Sequence, residues 1–297
     1  MTIPHLVQYQ GSKRNIAPKI LQFFPDKVDR IIEPFCGTAA VSILAAQNGR
    51  AEKFILNDIN SALVKLLESC VNMPEELYQQ YEHIWNGQFA EGTNNIDYFY
   101  KMREKFNNEK EPAMMLFMLA RVVKGAVRYN RNGEMNQSCD NRRNGTRPQQ
   151  VKLNAYRISK LLRGKAEFYS KDYKEIFNLA KPGDLIYMDP PYQGTSNTRD
   201  DRYYQGVDFD EFVDALYELN ERNIDFIISY DGITGDKKHG KDLPLELELT
   251  HMLINAGQSS QATLLGKREI TYESLYLSKN LRSYYENRVE QLTLNFG

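Results

Sequence analysis

The chain has 297 residues, 41% hydrophobic and 26% charged, with a formal net charge of −1. That length can bury a sizeable core in one large domain or two, and no apolar run approaches the roughly 20 residues that a membrane span needs. Cys36, Cys70 and Cys139 are scattered and support neither a disulfide framework nor a metal site, and Met1 to Tyr9 lack a signal-peptide profile, so a reducing cytoplasm is expected.

The neutral total conceals an asymmetry. From Arg121 to Lys165, twelve Lys or Arg residues stand against two acids, Glu134 and Asp140, a local +10 that leaves −11 for the rest. A basic block hidden in a neutral chain points to a nucleic-acid face. Arg157, Lys160, Arg163 and Lys165 also suit a solvated helix surface. Arg128 to Arg147 fits that alternative less well, because its basic residues interleave with Tyr, Asn and Gly.

Taken in order, Gln8-Tyr9-Gln10-Gly11-Ser12-Lys13-Arg14 is a polar loop ahead of an amphipathic helix expected from about Ile16 to Phe24. Lys13 offers a point charge for a carboxylate or phosphate, although a helix cap by Ser12 explains most of this pattern. Strand Arg30 to Glu33, the turn Pro34-Phe35-Cys36-Gly37-Thr38 and a helix from Ala39 read as the first βα unit of a Rossmann-like sheet. The turn has one glycine and no Gly-Lys-Ser/Thr, which argues against a triphosphate. A second strand, Lys53 to Asn57, ends in Asp58, about 20 residues after the glycine turn. An acid there is placed to accept both ribose hydroxyls of an adenosine; the alternative is that it caps the helix from Ser61.

The sheet pattern then stops. Pro74 to about Val127 reads as helical and aromatic-rich, an inserted domain. Next, Arg128-Tyr129-Asn130-Arg131-Asn132-Gly133-Glu134-Met135-Asn136 carries the Asn-Gly signal of a tight hairpin. Such a ribbon can enter a major groove, where Arg reads guanine and Asn reads adenine; a plain surface hairpin is the alternative. After a helix from about Leu153 to Leu162, the strand Glu167 to Ser170 is followed by Asp172, and the apolar run Asp184 to Met188 runs into Asp189-Pro190-Pro191-Tyr192. Two prolines fix the backbone and remove two N–H donors. The result is either a simple strand terminator or a rigid, acceptor-only cradle for an exocyclic amine, with Tyr192 to stack its base. A polar loop from Gln193 to Gln205 is long enough for a lid or a base clamp. A helix from Phe209, a strand from Asp225 to Tyr230, and closing strands at Leu245 to Leu249 and Glu269 to Leu277 complete the expected elements.

With these pieces in place the chain resembles the Dam-like, or D12 class, adenine-N6 DNA methyltransferases. The matching residues are Tyr9-x-Gly11-Ser12-Lys13, Glu33-Pro34-Phe35-Cys36-Gly37-Thr38, Asn57-Asp58-Ile59-Asn60, Arg128-Tyr129-Asn130 through Gly133-x-x-Asn136, and Asp189-Pro190-Pro191-Tyr192, in that family's order. The resemblance implies an α/β fold: a Rossmann-like S-adenosylmethionine-dependent methyltransferase sheet formed by 1–72 and 152–297. It also implies a mainly helical target-recognition insert, 73–151, carrying a β-hairpin. It implies S-adenosylmethionine as methyl donor, held by Tyr9, Lys13, Glu33, Phe35, Gly37, Asp58 and Asp172, with Tyr9 and Lys13 at the methionine end and Asp172 at the adenine ring. Asp189 and the Pro190 carbonyl would hold the N6 of a flipped adenine against Tyr192. Arg128, Asn130, Arg131, Asn132, Asn136, Arg142 and Arg143 would contact double-stranded DNA.

The hairpin departs from the pattern: it reads Glu134-Met135-Asn136-Gln137 where relatives often have an aromatic and a Val-Pro. Their recognition details therefore do not carry over. The expected setting is a monomer without a metal in a bacterial or phage cytoplasm, associated with the nucleoid. It would serve restriction-modification, with a separately acting cognate endonuclease, or Dam-like methylation. The rival readings are an RNA adenine or amine N-methyltransferase, and a catalytically silent DNA-binding relative.

Overall fold

The structure is a computed structural model, described here for residues 2–191, 207–234, 237–238, 241–258 and 270–282. Its strands are β1 (Arg30–Glu33), β2 (Lys53–Asn57), β3 (Ala166–Tyr169), β4 (Leu185–Met188), β5 (Asp225–Thr234), β6 (Lys237–Lys238), β7 (Thr250–Gln258) and β8 (Ile270–Leu277). The helices are α1 (Ala17–Ile20), α2 (Ala40–Gln47), α3 (Ser61–Asn72), α4 (Pro74–Gly87), α5 (Asn95–Glu109), α6 (Pro112–Arg121), α7 (Pro148–Leu162), α8 (Tyr173–Phe177) and α9 (Phe209–Glu221).

The strands form one sheet in the order β3-β2-β1-β4-β5-β8-β7, with β6 paired to β5. β1 to β5 pair in parallel, and β8 runs antiparallel to both β5 and β7. The short apolar runs noted in the sequence are what a sheet covered on both faces requires. Alternate residues go to opposite cores. Ile31, Phe54, Leu185 and Ile227 enter one, and Ile32, Ile55, Ile186 and Ile228 the other.

The first core is roofed by α1, α2 and α3 and continues without a break into α4 to α7 through Leu77, Tyr81, Phe99, Phe106, Phe117 and Val151. The second is covered by α8 and α9, with Ile176, Phe177, Phe212 and Leu216 packed on the sheet. Direction reverses between β1 and β4: from β1 the chain adds β2 and β3 on one side, then crosses to β4 on the other. The carboxyl ends of strands at such a switch point open a crevice for ligands. Both sequence motifs with the most unusual chemistry, Phe35 to Thr38 and Asp189 to Pro191, lie there.

Three local expectations are corrected. The helix expected over Ile16 to Phe24 is the four-residue α1 followed by a 3-10 turn at Leu21–Phe23. Leu245 to Leu249 is not a strand. Leu245–Leu247 is a 3-10 turn closed by Glu248 at φ 52°, a left-handed conformation no strand accepts, and β7 starts at Thr250. α7 begins at Pro148 rather than near Leu153, because proline is well suited to a helix's first turn.

Candidate active site at the sheet switch point

A cavity of about 540 Å³ opens at the carboxyl ends of β1, β2 and β4. Tyr9, Lys13, Glu33, Phe35, Gly37, Asp58, Asp172, Asp189 and Pro190, expected from sequence to form the cofactor and amine sites, all line it. Tyr192 lies outside the described residues, as does the loop expected to act as a lid.

Each wall follows from a strand end. After β1 the chain turns through Gly37 and Ala39, both at positive φ, and enters α2. After β2, Asp58 points back across this turn: its Oδ2 accepts from Gly37 N at 2.9 Å and its Oδ1 from Asn60 N at 2.9 Å. Burial raises the Asp58 carboxyl above its ordinary range, and these two N–H groups oppose that rise. Asp58 is not the cap of α3. That role belongs to Asn60, whose Oδ1 accepts from Leu63 N at 3.4 Å and also receives the Tyr129 hydroxyl at 3.2 Å. Asp172 caps α8 through Lys174 N at 2.9 Å and stays exposed at the rim.

Lys13 lines the cavity, and its Nζ lies 3.0 Å from Asp189 Oδ1 and 2.7 Å from Glu273 Oε1. Both Lys13 and Glu273 are 9% exposed, so the three charges form a largely dry cluster. Asp189 is more open, at 21%. Burial pushes its carboxyl up to about 6, with Lys13 pulling it down and Glu273 pushing it up. Glu273 was not singled out in the sequence. It is an acid in an alternating strand at the far end of the chain, and nothing local ties it to Lys13.

Among the described residues the lining carries Asp58, Asp172, Asp189, Asp208 and Glu211, beside a Glu33 that burial keeps protonated, against two bases, Lys13 and Lys171. Such a field repels a phosphorylated ligand and favours one with positive charge. Tyr9 and Phe35 add aromatic surface, and Phe35 is held by ring contact with Tyr173 at 5.4 Å between centroids. A cationic nucleoside such as S-adenosylmethionine fits these residues. Among the described residues, no group of three or more His, Cys, Asp or Glu side chains could hold a metal ion, and no helix is long and apolar enough to cross a membrane.

The residues expected to touch DNA lie outside the cavity, on a hairpin and the loop after it. Asn130 N donates to Glu134 O at 2.8 Å and Asn136 N to Arg128 O at 3.2 Å, closing the ladder. The loop is three residues, Arg131-Asn132-Gly133, with a Gly133 N to Asn130 O bond at 2.9 Å and Gly133 at φ 73°, rather than a two-residue turn. Asn130's amide is spent inside this loop, its Oδ1 accepting from Asn132 N and Glu134 N and its Nδ2 donating to Glu134 Oε2. Arg128, Arg131, Asn132 and Asn136 are exposed. α5 supports the hairpin from behind. Asn107 exchanges two bonds with the Met135 backbone at 2.8 and 3.0 Å, and Arg103 holds the Gln137 carbonyl at 2.7 Å. Arg142 and Arg143 both pair with the buried Asp140 carboxylate, at 3.1 Å each.

Residues 9–256 match the family model of the D12 class N6 adenine-specific DNA methyltransferases. The chain belongs to that family. The methyltransferase is 27% identical over 208 residues to a DNA adenine methylase of Haemophilus influenzae, covering 68% of each chain. It is 25% identical over 274 residues to the type II methyltransferase M.FokI of Planomicrobium okeanokoites, covering 89% of this chain and 41% of that one. It is 25% identical over 237 residues to the DNA N-6-adenine-methyltransferase of Escherichia phage P1, covering 76% of this chain and 30% of that one. It therefore spans less than half of the last two relatives.

One residue of the methyltransferase's site makes a prediction about stability. Glu33 is buried, its Oε1 accepts from Ser42 N at 2.5 Å, and burial pushes its carboxyl up to about 8. An unfolded glutamate ionises near its ordinary value of 4.5 while the folded one keeps its proton until about 8. The native state then binds the extra proton, so this group's contribution to stability falls as pH rises across that window. Glu33→Gln is expected to melt like the wild type near pH 5 and above it near pH 8.5, in thermal melts of the protein without cofactor. Parallel curves at both pH values would show that Glu33 is ionised in the native state.

Proposed function

We propose that the methyltransferase binds S-adenosylmethionine in the switch-point cavity and methylates N6 of an adenine flipped out of duplex DNA. The observation that carries this reading is Asp189 followed by two prolines at the wall of an acid-rich cavity, with the Asp58–Gly37 contact beside it. Bound there, the cofactor supplies a methyl group activated by a sulfonium charge. Asp58 retains lone pairs for ribose hydroxyls, and Tyr9, Phe35 and Asp172 flank the space left for the nucleoside.

The chain's own part is to make a weak nucleophile reactive. The lone pair of an adenine amine is delocalised into its ring. Asp189 Oδ and the Pro190 carbonyl accept its two hydrogens in positions that suit a pyramidal nitrogen, which returns the lone pair to nitrogen and aims it. As the N–C bond forms and the methyl–sulfur bond breaks, its electron pair staying on sulfur, positive charge would develop on N6; Asp189 would stabilise it and accept the proton shed. Alignment of the reactants supplies about 7–11 kcal/mol in favourable cases. Extrusion of the base from the duplex costs a few kcal/mol. Tyr192 is assigned the stacking role on sequence grounds.

DNA contact is assigned to 73–151, with Arg128, Arg131, Asn132 and Asn136 at base edges and Asn130 shaping the loop that presents them. Arg142 and Arg143 share Asp140's charge and suit phosphates, where geometry matters less than net charge. Charge removal at Arg142 and Arg143 is expected to weaken binding to all sequences, whereas changes at Arg128 or Arg131 alter sequence choice. Equal losses on every sequence at all four positions, in binding titrations against varied duplexes, would remove that division. We assign the enzyme to the cytoplasm as a monomer, in Dam-like methylation or in restriction-modification beside a separate endonuclease.

The deciding experiment incubates purified protein with labelled cofactor and duplex DNA and maps the methylated adenines. Label in N6-methyladenine at one sequence context supports the reading. Label confined to RNA, or none with a folded protein, would overturn it.

A further inference from the structure

Lys13 does not belong to Asp189 alone. Its ammonium lies between two carboxylates, 3.0 Å from Asp189 Oδ1 and 2.7 Å from Glu273 Oε1, and the contact to Glu273 is the shorter. Glu273 sits on β8, two strands from the β4 end that carries Asp189. It is paired in register with Gly232 of β5 and Ile254 of β7, so the sheet sets its backbone. A buried ammonium given wholly to Asp189 would draw that carboxylate's electron density toward itself and leave it a poorer acceptor for an amine. A second carboxylate on the same ammonium divides the pull.

We propose that Glu273 is a positioning residue for methyl transfer: it shares Lys13 with Asp189, so that Asp189 remains available to the target amine. The proposal rests on the function proposed above. It assigns Glu273 no contact with the substrate. The charged and titratable groups that act on Asp189 are Lys13, Glu273, Asp58, Glu33 and Tyr187, from five different segments of the chain. Of these, Glu273 is the one that also forms an ion pair with Lys13, at 2.7 Å. With its charge removed, Lys13 acts more strongly on Asp189, and the carboxylate loses its proton more easily and accepts hydrogen bonds less well.

The test compares wild type with Glu273→Gln in steady-state methyl transfer from pH 5 to 9. The wild-type rate should fall as Asp189 protonates near pH 6. In the variant, the acid limb is expected to move down by about one pH unit. On the plateau, kcat should fall about tenfold, with cofactor KM and DNA affinity close to wild type. A structural defect alone would lower stability and affinity together and leave the limb in place. Glu273→Asp, which keeps the charge but shortens the reach, should show the same two changes in smaller degree, and it carries the test if the glutamine variant does not fold.

An acid limb and plateau both at wild-type values in a folded variant would overturn the proposal, as would a limb displaced upward. Asp189→Ala run alongside separates this idea from the one beneath it. An inactive Asp189→Ala beside a wild-type-like Glu273→Gln defeats the positioning role only. A fully active Asp189→Ala defeats both.

Discussion

Asp189→Ala is expected to reduce methyl transfer by about 10³-fold while the fold and cofactor affinity stay near wild type. The magnitude follows from where the carboxylate acts. In the proposed reaction it is a preorganised acceptor in a largely dry cluster, aimed at charge that develops only as the amine attacks, so its contribution falls on kcat more than on binding. The neighbouring Pro190 carbonyl remains in the variant, as does the alignment of the two ligands, which is why activity drops by that factor rather than vanishing. Asp189→Asn keeps one carbonyl acceptor and loses the charge, so it should fall between the two. The measurement is single-turnover transfer with saturating cofactor and DNA, which separates chemistry from product release. A wild-type single-turnover rate in Asp189→Ala would remove Asp189 from the chemistry.

Gly125→Ala is the change expected to cost most in stability. Gly125 has φ 61°, and a Cβ there would lie 1.8 Å from the Gln8 carbonyl oxygen and 2.5 Å from its carbon. The left-handed backbone alone costs a residue with a side chain about 1–2 kcal/mol. The overlap adds to it, because the obstacle is backbone that cannot rotate away. Gln10 N also donates to Gly125 O at 3.3 Å, so the strain passes directly into the Tyr9 to Lys13 loop that lines the cavity. A loss of about 3 kcal/mol, lowering Tm by about 5–10 °C, is expected together with weaker cofactor binding. Thermal melts with and without cofactor measure both, and a variant that melts as wild type would show that the two segments separate easily.

The strand ends were legible because each is a local signal: a short apolar run bounded by proline, glycine or an acid. β1, β2 and β4 and the residues Gly37, Asp58 and Asp189 at their tips all came from such runs. The misread elements failed for equally local reasons. Leu245 to Leu249 alternates like a strand, yet Glu248 adopts a left-handed backbone that ends it. The hairpin's Asn-Gly signal identified a turn but not its length, since Asn130's amide organises a three-residue loop.

From sequence came the residues of the site: a carboxylate followed by two prolines, an acid at the tip of the second strand, and one glycine turn without a phosphate-binding pattern. Only the tertiary structure could decide which charge faces which. Lys13 reads as a ligand-binding point charge on an N-terminal loop, and Glu273 as one polar residue of a closing strand. They meet at Asp189 because the crossover to β4 and the antiparallel return of β8 bring three distant segments to one end of the sheet. The same holds for Asn60, which caps α3 and also receives Tyr129 from the hairpin. Residue type is written in the chain, but a buried charge's partners are set by the order in which strands cross the sheet, and no local pattern records that order.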